Sequence, residues 1–510
     1  MIGRLALPVV LTNLLQSLVG VIDVFMIGRL GPLEIAASGL SNVIRVLVLI
    51  LVLSVAAGAM SLIAQAKGAR DLERMSFVVR QSITSGVLLS LFMMVFGVLM
   101  ARPLLVFANS GGDPTAVDLG VSYLQIIFLG VPFLVLNVVF NRLMQGAGDT
   151  LTPLILTAGM NVLNVIFNYL FMFGIGPLPA YGLAGAAIGT ILSRVIGVII
   201  AFYIAYSGRN VVKIGSGSFW PDWQLFKDIL GIGVPSGIQG IFRNGSRLLV
   251  VSLLTSTEVG TLGAAALAIG LQVESLAFMP VLGLNVAATS LVGRSLGAWQ
   301  VEDAKRRGNI ALVLGVSLMA IVILPMIIFA PAVIRFFDPS ADPIVLSAGT
   351  SYLRITTPSL VFTAVAMVLN GALRGAGDTT PGMYSTLLTR GGLSVLLAWL
   401  FAFPFDWGST GIWVALTIGQ ILDGILLFAR WQQQNAWLQV ALGKTEIYRQ
   451  HLQHFSAELR ERYLREVRAP LMAQDQTVEE VSEDQVVYHM TEQDVSVTFE
   501  NGSFGVYRVT

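Results

Sequence analysis

The sequence predicts an all-α integral membrane protein of twelve transmembrane helices, arranged as two pseudo-symmetric six-helix lobes with a short cytoplasmic tail. Three observations carry that reading. The 510 residues are 55% hydrophobic and only 12% charged, against about 25% charged in an ordinary soluble domain. The apolar residues gather in a dozen stretches, each near the roughly 20 residues that cross a bilayer. The second half of the chain also repeats the first.

The stretches fall near 5–28, 37–63, 81–101, 117–141, 153–174, 183–206, 229–255, 264–292, 309–330, 346–371, 383–403 and 411–429. A charged side chain at the centre of a bilayer costs about 3 kcal/mol or more, and segments such as Val46–Ala57 and Val195–Ala205 carry none. The first run, Leu5 to Ile27, is too long for the apolar core of a cleaved signal peptide and reads as the first span. Basic residues of short loops mark the cytoplasmic side. One set of loops carries Lys67, Arg70, Arg74, Arg80, Arg209, Lys213, Arg294, Lys305, Arg306 and Arg307, the other mainly Arg29, Arg102 and Arg335. The chain is therefore expected to be a multi-pass protein of the plasma membrane with both termini cytoplasmic.

The repeat is read at a fixed offset. Ser122-Tyr-Leu124, Asn141 and Gly146-Ala-Gly-Asp-Thr150 recur in order, without a gap, as Ser351-Tyr-Leu353, Asn370 and Gly375-Ala-Gly-Asp-Thr379. Ser61 and Gly68 recur at the same offset as Ser290 and Gly297. Pro8 recurs at Pro235, and Gly182 and Gly185 recur at Gly408 and Gly411, each pair at a slightly shorter offset. An even number of spans per repeat gives both halves the same orientation, with substrate expected between them. The expected organisation is a lobe at 1–206, a cytoplasmic linker at 207–228, a lobe at 229–430 and a tail at 431–510.

Several chemistries are excluded. There is no cysteine, hence no disulfide or thiolate site. All three histidines, His451, His454 and His489, lie in the tail, so no histidine relay crosses the membrane. Gly146-Ala-Gly148 lacks the lysine and Ser/Thr of a phosphate loop; Gly146 and Gly375 are expected to permit a tight helix exit. No catalytic constellation marks an enzyme, and nothing calls for nucleic acid or a cofactor. In the tail, residues 444–468 read as an amphipathic surface helix, and the alternation around Asn501-Gly502 signals a hairpin. A tail partner is not identifiable from sequence.

An ionisable residue inside a span is a functional candidate. Asp23 is the one acid of the first span, 15 residues after Pro8, or about 22 Å along a helix. Arg243 and Arg247 stand four apart, on one face of the seventh span. Arg390 lies in a later span, and Glu274 and Asp423 are the acids available to pair with them. Structural pairing, Arg243 with Glu274 for example, competes with arginines that line a cavity and favour an anionic or zwitterionic substrate.

Pro8 with Asp23, Gln145-Gly-Ala-Gly-Asp-Thr150 and its copy Arg374-Gly-Ala-Gly-Asp-Thr379, Pro235-Ser-Gly-Ile-Gln239, and Glu274 through Pro280 to Ala287-Ala288 carry a family resemblance. Over about residues 3–430 the chain resembles the multidrug and toxic compound extrusion (MATE) family, in its DinF-like branch. That resemblance implies export of amphipathic organic compounds in exchange for H⁺ or Na⁺. Asp23 would be the coupling residue, Asn164, Asn168 and Thr190 would surround it, and Pro8 would bend the first helix. Asn168 departs from the many relatives that carry a second aspartate there. Sodium, if it is the coupling ion, would bind at Asp23; no other metal is expected. The partners implied are a small-molecule substrate and the bilayer, with the protein acting as a monomer. A lipid-linked oligosaccharide or lipid flippase and an exporter of anionic metabolites are the alternatives.

Overall fold

The computed structural model describes residues 2–109, 113–208, 210–433 and 437 and two strands at 495–500 and 503–508. Residues 1–431 form one compact unit and 432–510 another. The first half holds α1 (Ile2–Gly28), α2 (Pro32–Gly68), α3 (Leu72–Ala108), α4 (Pro114–Leu129), α5 (Val131–Gly146), α6 (Leu151–Phe173) and α7 (Gly182–Tyr206). The second holds α8 (Trp223–Thr255), α9 (Gly260–Gly297), α10 (Val301–Ile328), α11 (Ala330–Phe337), α12 (Pro343–Thr356), α13 (Leu360–Gly375), α14 (Thr380–Thr386), α15 (Ser394–Ala402) and α16 (Gly408–Gln432).

Joined where they are continuous, these helices make six spans in each half. Ten are long and apolar enough to cross a membrane, and α4 with α5, bent by 51°, makes an eleventh. The twelfth is α8, 33 residues long, or roughly 50 Å. Arg243, Asn244 and Arg247 leave it too polar to qualify on composition. That polarity needs a protein or water-facing surface to accommodate it.

One span expected to be regular is broken and two carry a local distortion. Pro132, second in α5, supplies no N–H, and the chain turns at Gly130. Its counterpart in the second half is a 3₁₀ turn, Thr357–Ser359, around Pro358. Between α14 and α15 a π-helical turn runs from Leu387 to Leu393. Such turns insert an extra residue and often mark functional positions; this one carries Arg390.

The repeated sequence builds repeated local structure. Asp113-Pro114 and Asp342-Pro343 each cap a helix, the carboxylate accepting an N–H two residues on at 2.8 Å. The Gly-Ala-Gly-Asp-Thr motif ends α5 and α13 in the same way. Gly148 (φ 87°) and Gly377 (φ 82°) take the left-handed conformation. Asp149 N–H donates to Met144 O, and Asp378 N–H to Leu373 O, both at 2.9 Å. The tight exit thus belongs to Gly148 and Gly377, not to Gly146 and Gly375. The latter serve close packing: a Cβ on either would stand 2.5 Å from the carbonyl oxygen of Met60 or Thr289.

The motif threonines reach the first helix of each half. A proline inside a helix deprives a carbonyl one turn earlier of its donor. Thr150 Oγ1 donates to Arg4 O (3.4 Å), the carbonyl that Pro8 leaves without a donor, and Thr379 Oγ1 donates to Ile232 O (2.9 Å), one residue beyond the carbonyl that Pro235 leaves free.

At the end of the bundle bearing Lys67 and Arg294, the halves close on each other with matching contacts. Ser61 Oγ donates to Arg374 O (2.7 Å), and its counterpart Ser290 Oγ donates to Gly146 O (2.9 Å). Gln65 Nε2 adds a bond to Gly375 O at 2.9 Å. Gly68 lies against the Arg294 carbonyl and Gly297 against the Gln65 carbonyl, so neither position admits a side chain without a shift. Farther along, α2 meets α8 where Gly233 lies against Ser54 and Gly240 against Ile50.

The segment between the halves ends earlier than the expected linker at 207–228. The helix α8 begins at Trp223, inside the stretch read as linker. The chain before it is tied down: Arg80 Nη1 donates to Ile214 O (2.9 Å), Gln81 Nε2 to Trp220 O (2.8 Å) and Asn210 Nδ2 to Asp149 Oδ2 (2.8 Å). In the second unit, β1 (Val495–Glu500) and β2 (Ser503–Arg508) pair antiparallel, Glu500 opposite Ser503, which leaves a two-residue connection. The amphipathic helix expected at 444–468 and the three histidines lie outside the described residues.

Candidate coupling and substrate sites

The helix α6 presents a buried polar stripe, Thr157, Asn161, Asn164 and Asn168, at spacings that repeat one helical face. Small residues of α7 let that face come close. A Cβ on Gly189 would stand 2.6 Å from Asn168 N, and Gly185 lies against the Phe171 carbonyl. This packing brings four sequence-predicted residues together. Asn168 Nδ2 donates to Asp23 Oδ1 at 2.9 Å, Asn164 Nδ2 to Thr190 Oγ1 at 3.1 Å, and the two amides meet at 3.4 Å. Asn164 and Asn168 are buried and Asp23 half-buried. An apolar cluster, with Met26, Ile27, Met172, Leu183 and Ala187, packs around the C-terminal end of α1, the part of the helix that carries Asp23. Pro8 is in α1, and Thr12 Oγ1 turns back to Pro8 O at 2.8 Å.

Two cations escaped the sequence reading. Arg45 of α2 and Arg194 of α7 both lie close enough to act on the Asp23 charge. Arg45 Nη1 donates to Tyr123 Oη at 3.3 Å and Nη2 to Asn42 Oδ1 at 3.0 Å. Arg194 was legible, one helical turn after Thr190 on the same face. Arg45 had no local signal.

The second half holds a narrow cavity of about 50 Å³. Arg243, Arg247, Glu274, Tyr352, Arg390 and Gln420 supply its polar lining, and Val250, Leu267, Leu271 and Leu416 its apolar walls. Arg243 does not pair with Glu274. Tyr352 Oη donates to Glu274 Oε1 at 2.6 Å. Arg390 Nε donates to Asp423 Oδ2 at 3.1 Å, and Nη2 to Thr363 Oγ1 at 3.0 Å. Asp423 also accepts from Ser385 Oγ at 2.6 Å. Arg243 and Arg247 are exposed and make no ion pair within 4.0 Å among the described residues.

The repeat makes the two pockets counterparts. At its main offset Arg45 corresponds to Glu274, Tyr123 to Tyr352 and Asn161 to Arg390. The register of Pro8 with Pro235 matches Asp23 to Val250, and that of Gly182 with Gly408 matches Thr190 and Arg194 to Leu416 and Gln420. One tyrosine scaffold therefore carries opposite charges. In the first half the acid is on the first span and a base on the second; in the other half the bases are on the first span and the acid on the second. Among the described residues no group of three or more His, Cys, Asp or Glu could hold a metal ion.

Two polar sites of opposite charge inside a duplicated twelve-helix bundle suit a membrane transporter. The MatE family model matches residues 8–170 and again 235–400, one match in each half, and the chain belongs to that family of MATE transporters. It is 30% identical to a probable multidrug resistance protein NorM of Thermotoga maritima over 440 residues, 84% of this chain and 92% of that one. A second probable NorM, of Mesorhizobium japonicum, is 31% identical over 446 residues, 84% and 93% of the two chains. A solved outward-facing MATE transporter of the MOP superfamily superposes with a TM-score of 0.78 at 25% identity, covering 86% of this chain and 96% of that one. Multidrug efflux transport is the common ground of these relatives.

Proposed function

We infer that this protein is a proton-coupled antiporter that exports amphipathic organic compounds, with Asp23 as the group that carries the proton. The observation that carries the reading is the Asp23–Asn168–Asn164–Thr190 cluster, a carboxylate bonded to one neutral amide, with a second amide and a hydroxyl behind it. A carboxylate can take and release a proton; Asn168, in the place of a second acid, cannot. Sodium, a hard cation, prefers a cage of several oxygen ligands with net negative charge. Here one carboxylate stands with neutral amides and no second acid, and so sparse an oxygen set suits a proton better than a sodium ion.

Coupling follows if the proton and the substrate stabilise opposite conformations. Protonating Asp23 removes the acceptor charge that Asn168 and the arginines address, which alters what holds α1 to α6 and α7. Pro8 gives α1 a point at which to bend, and Thr150 ties the carbonyl of Arg4 near that point to the α5–α6 turn. The closed, basic end of the bundle is taken as cytoplasmic from its loop charges. Both pockets lie within one chain, so a monomer suffices.

The test uses the full chain in proteoliposomes, with proton and sodium gradients imposed separately and a panel of cationic, zwitterionic and anionic amphipathic dyes. Movement of any dye is expected under the proton gradient and not under sodium alone. Sodium-driven movement at neutral proton balance would contradict proton coupling.

A further inference from the structure

We propose that the cavity of the second half is an anion site, and that the exported compounds carry a carboxylate, sulfonate or phosphate head on an apolar body. The proposal rests on the exporter reading and names the substrate class for it. Three arginines, Arg243, Arg247 and Arg390, meet two carboxylates, Glu274 and Asp423. Asp423 is occupied by Arg390 and Ser385, and one oxygen of Glu274 by Tyr352. Arg243 and Arg247 are exposed, and among the described residues no carboxylate lies within 4.0 Å of their guanidinium groups.

The surroundings reinforce the sign. Arg142 and Arg374 lie within electrostatic reach of one another, and Arg374 within reach of Arg243; Arg390 and Arg247 also act on Arg243. A cationic compound would enter against this field. An anionic head would gain charge-assisted hydrogen bonds from planar donors suited to oxyanions.

Size and lining define the rest of the ligand. A cavity of about 50 Å³ holds a head group, not a whole drug, since a single water needs about 10–15 Å³ on the same kind of measure. Val250, Leu267, Leu271 and Leu416 line the same pocket and suit the beginning of an apolar body. Val250 and Leu416 are also the positions where the first half has Asp23 and Thr190. Loss of the carboxylate at this point thus goes together with gain of the arginines.

The experiment measures equilibrium binding to the purified full chain in neutral detergent. Fluorescein serves as the aromatic carboxylate probe, ethidium as the cationic control, and dodecyl phosphate and inorganic phosphate as competitors. Fluorescein is expected to bind, to weaken with salt and to be displaced. Arg243→Gln with Arg247→Gln is expected to weaken it by about ten-fold or more, the scale of one lost hydrogen bond to a charged group. Arg247→Lys, which keeps the charge, is expected to lose less. Displacement by dodecyl phosphate but not inorganic phosphate assigns the site to lipid-like or amphipathic anions; displacement by both assigns it to the anionic head alone. Ethidium binding with no fluorescein binding, or fluorescein binding indifferent to both arginines in monodisperse protein, would overturn the proposal. In an Asp23→Asn background fluorescein binding is expected to weaken but to keep its dependence on Arg243 and Arg247, so a failure of proton coupling is read separately from a failure of the anion site.

Discussion

The two halves share a frame and differ in the charges they hang on it. Their caps, helix exits, proline-side threonines and cross-contacts repeat with the same residue types, because these features are set by backbone geometry that both copies need. The polar pockets do not repeat. Tyr123 bonds an arginine and Tyr352 a glutamate from equivalent positions; the first-span acid of one half is a valine in the other. Duplication supplied two equivalent positions in the bundle, and side-chain replacement put an acid beside amides in one and a group of arginines in the other. Function lives in the positions where the symmetry is broken.

The largest expected effect breaks that comparison at Asp23. Asp23→Asn should reduce gradient-driven transport to background, because the neutral amide cannot exchange a proton, while the protein remains folded. Adding Val250→Asp to it should not restore transport, since an acid there would meet Arg243 and Arg247 rather than the paired amides that stand beside Asp23. Dye flux in proteoliposomes measures both. Restoration by Val250→Asp would show the halves to be interchangeable.

The symmetric contacts should respond alike. Gly68→Val and Gly297→Val each force a side chain against a carbonyl of the opposite half, a cost of about 1–3 kcal/mol for overpacking. Both should hinder closure of the basic end to a similar degree. Labelling of a cysteine introduced at that end, in a chain with no native cysteine, would report its opening. A strong effect from only one of them would refute the matched closure.

The tyrosines should respond unequally. Tyr352→Phe removes a 2.6 Å bond to a carboxylate, worth about 1.5–3 kcal/mol. Tyr123→Phe removes a 3.3 Å bond to Arg45 and should cost clearly less, about 0.5 kcal/mol. Thermal unfolding of the two variants under one set of conditions gives the order.

The smallest effect lies outside the pockets. Glu258, in the turn between α8 and α9, caps α16 by accepting from Ser409 N–H and Oγ, both at 2.9 Å. Partial burial pushes its carboxyl upward, but the Ser409 bonds outweigh this and hold it below the usual glutamate range. A lowered value means stability present above the ordinary glutamate pKa and lost as pH falls through the folded one. Glu258→Gln should therefore match wild type in strong acid and fall slightly below it at neutral pH, read as a small shift in melting temperature.

Much of this was legible in the sequence. Twelve helices followed from apolar lengths, the duplication from fixed offsets, and Asp23 with Asn164, Asn168 and Thr190 from their types and the family pattern. What escaped depends on contacts between distant spans. Arg45 belongs to a different helix from Asp23, and nothing local points back. The pairing of Glu274 with Tyr352 rather than Arg243 is decided by how α9 packs on α12. Gly148 and Gly377, not the glycines that open each motif, take the left-handed turn, and a run of glycines does not reveal which. The π turn that carries Arg390 has no composition of its own.

The most direct measurement is proton release on ligand binding. Fluorescein would be added to the purified full chain in weakly buffered detergent near the pH where Asp23 is protonated, with pH recorded. If the anion and the proton favour opposite conformations, wild type should release up to about one proton per chain as the probe binds. Asp23→Asn should bind and release none. Release that survives in Asp23→Asn, or binding by wild type with no release at any pH, would contradict coupling between the two pockets.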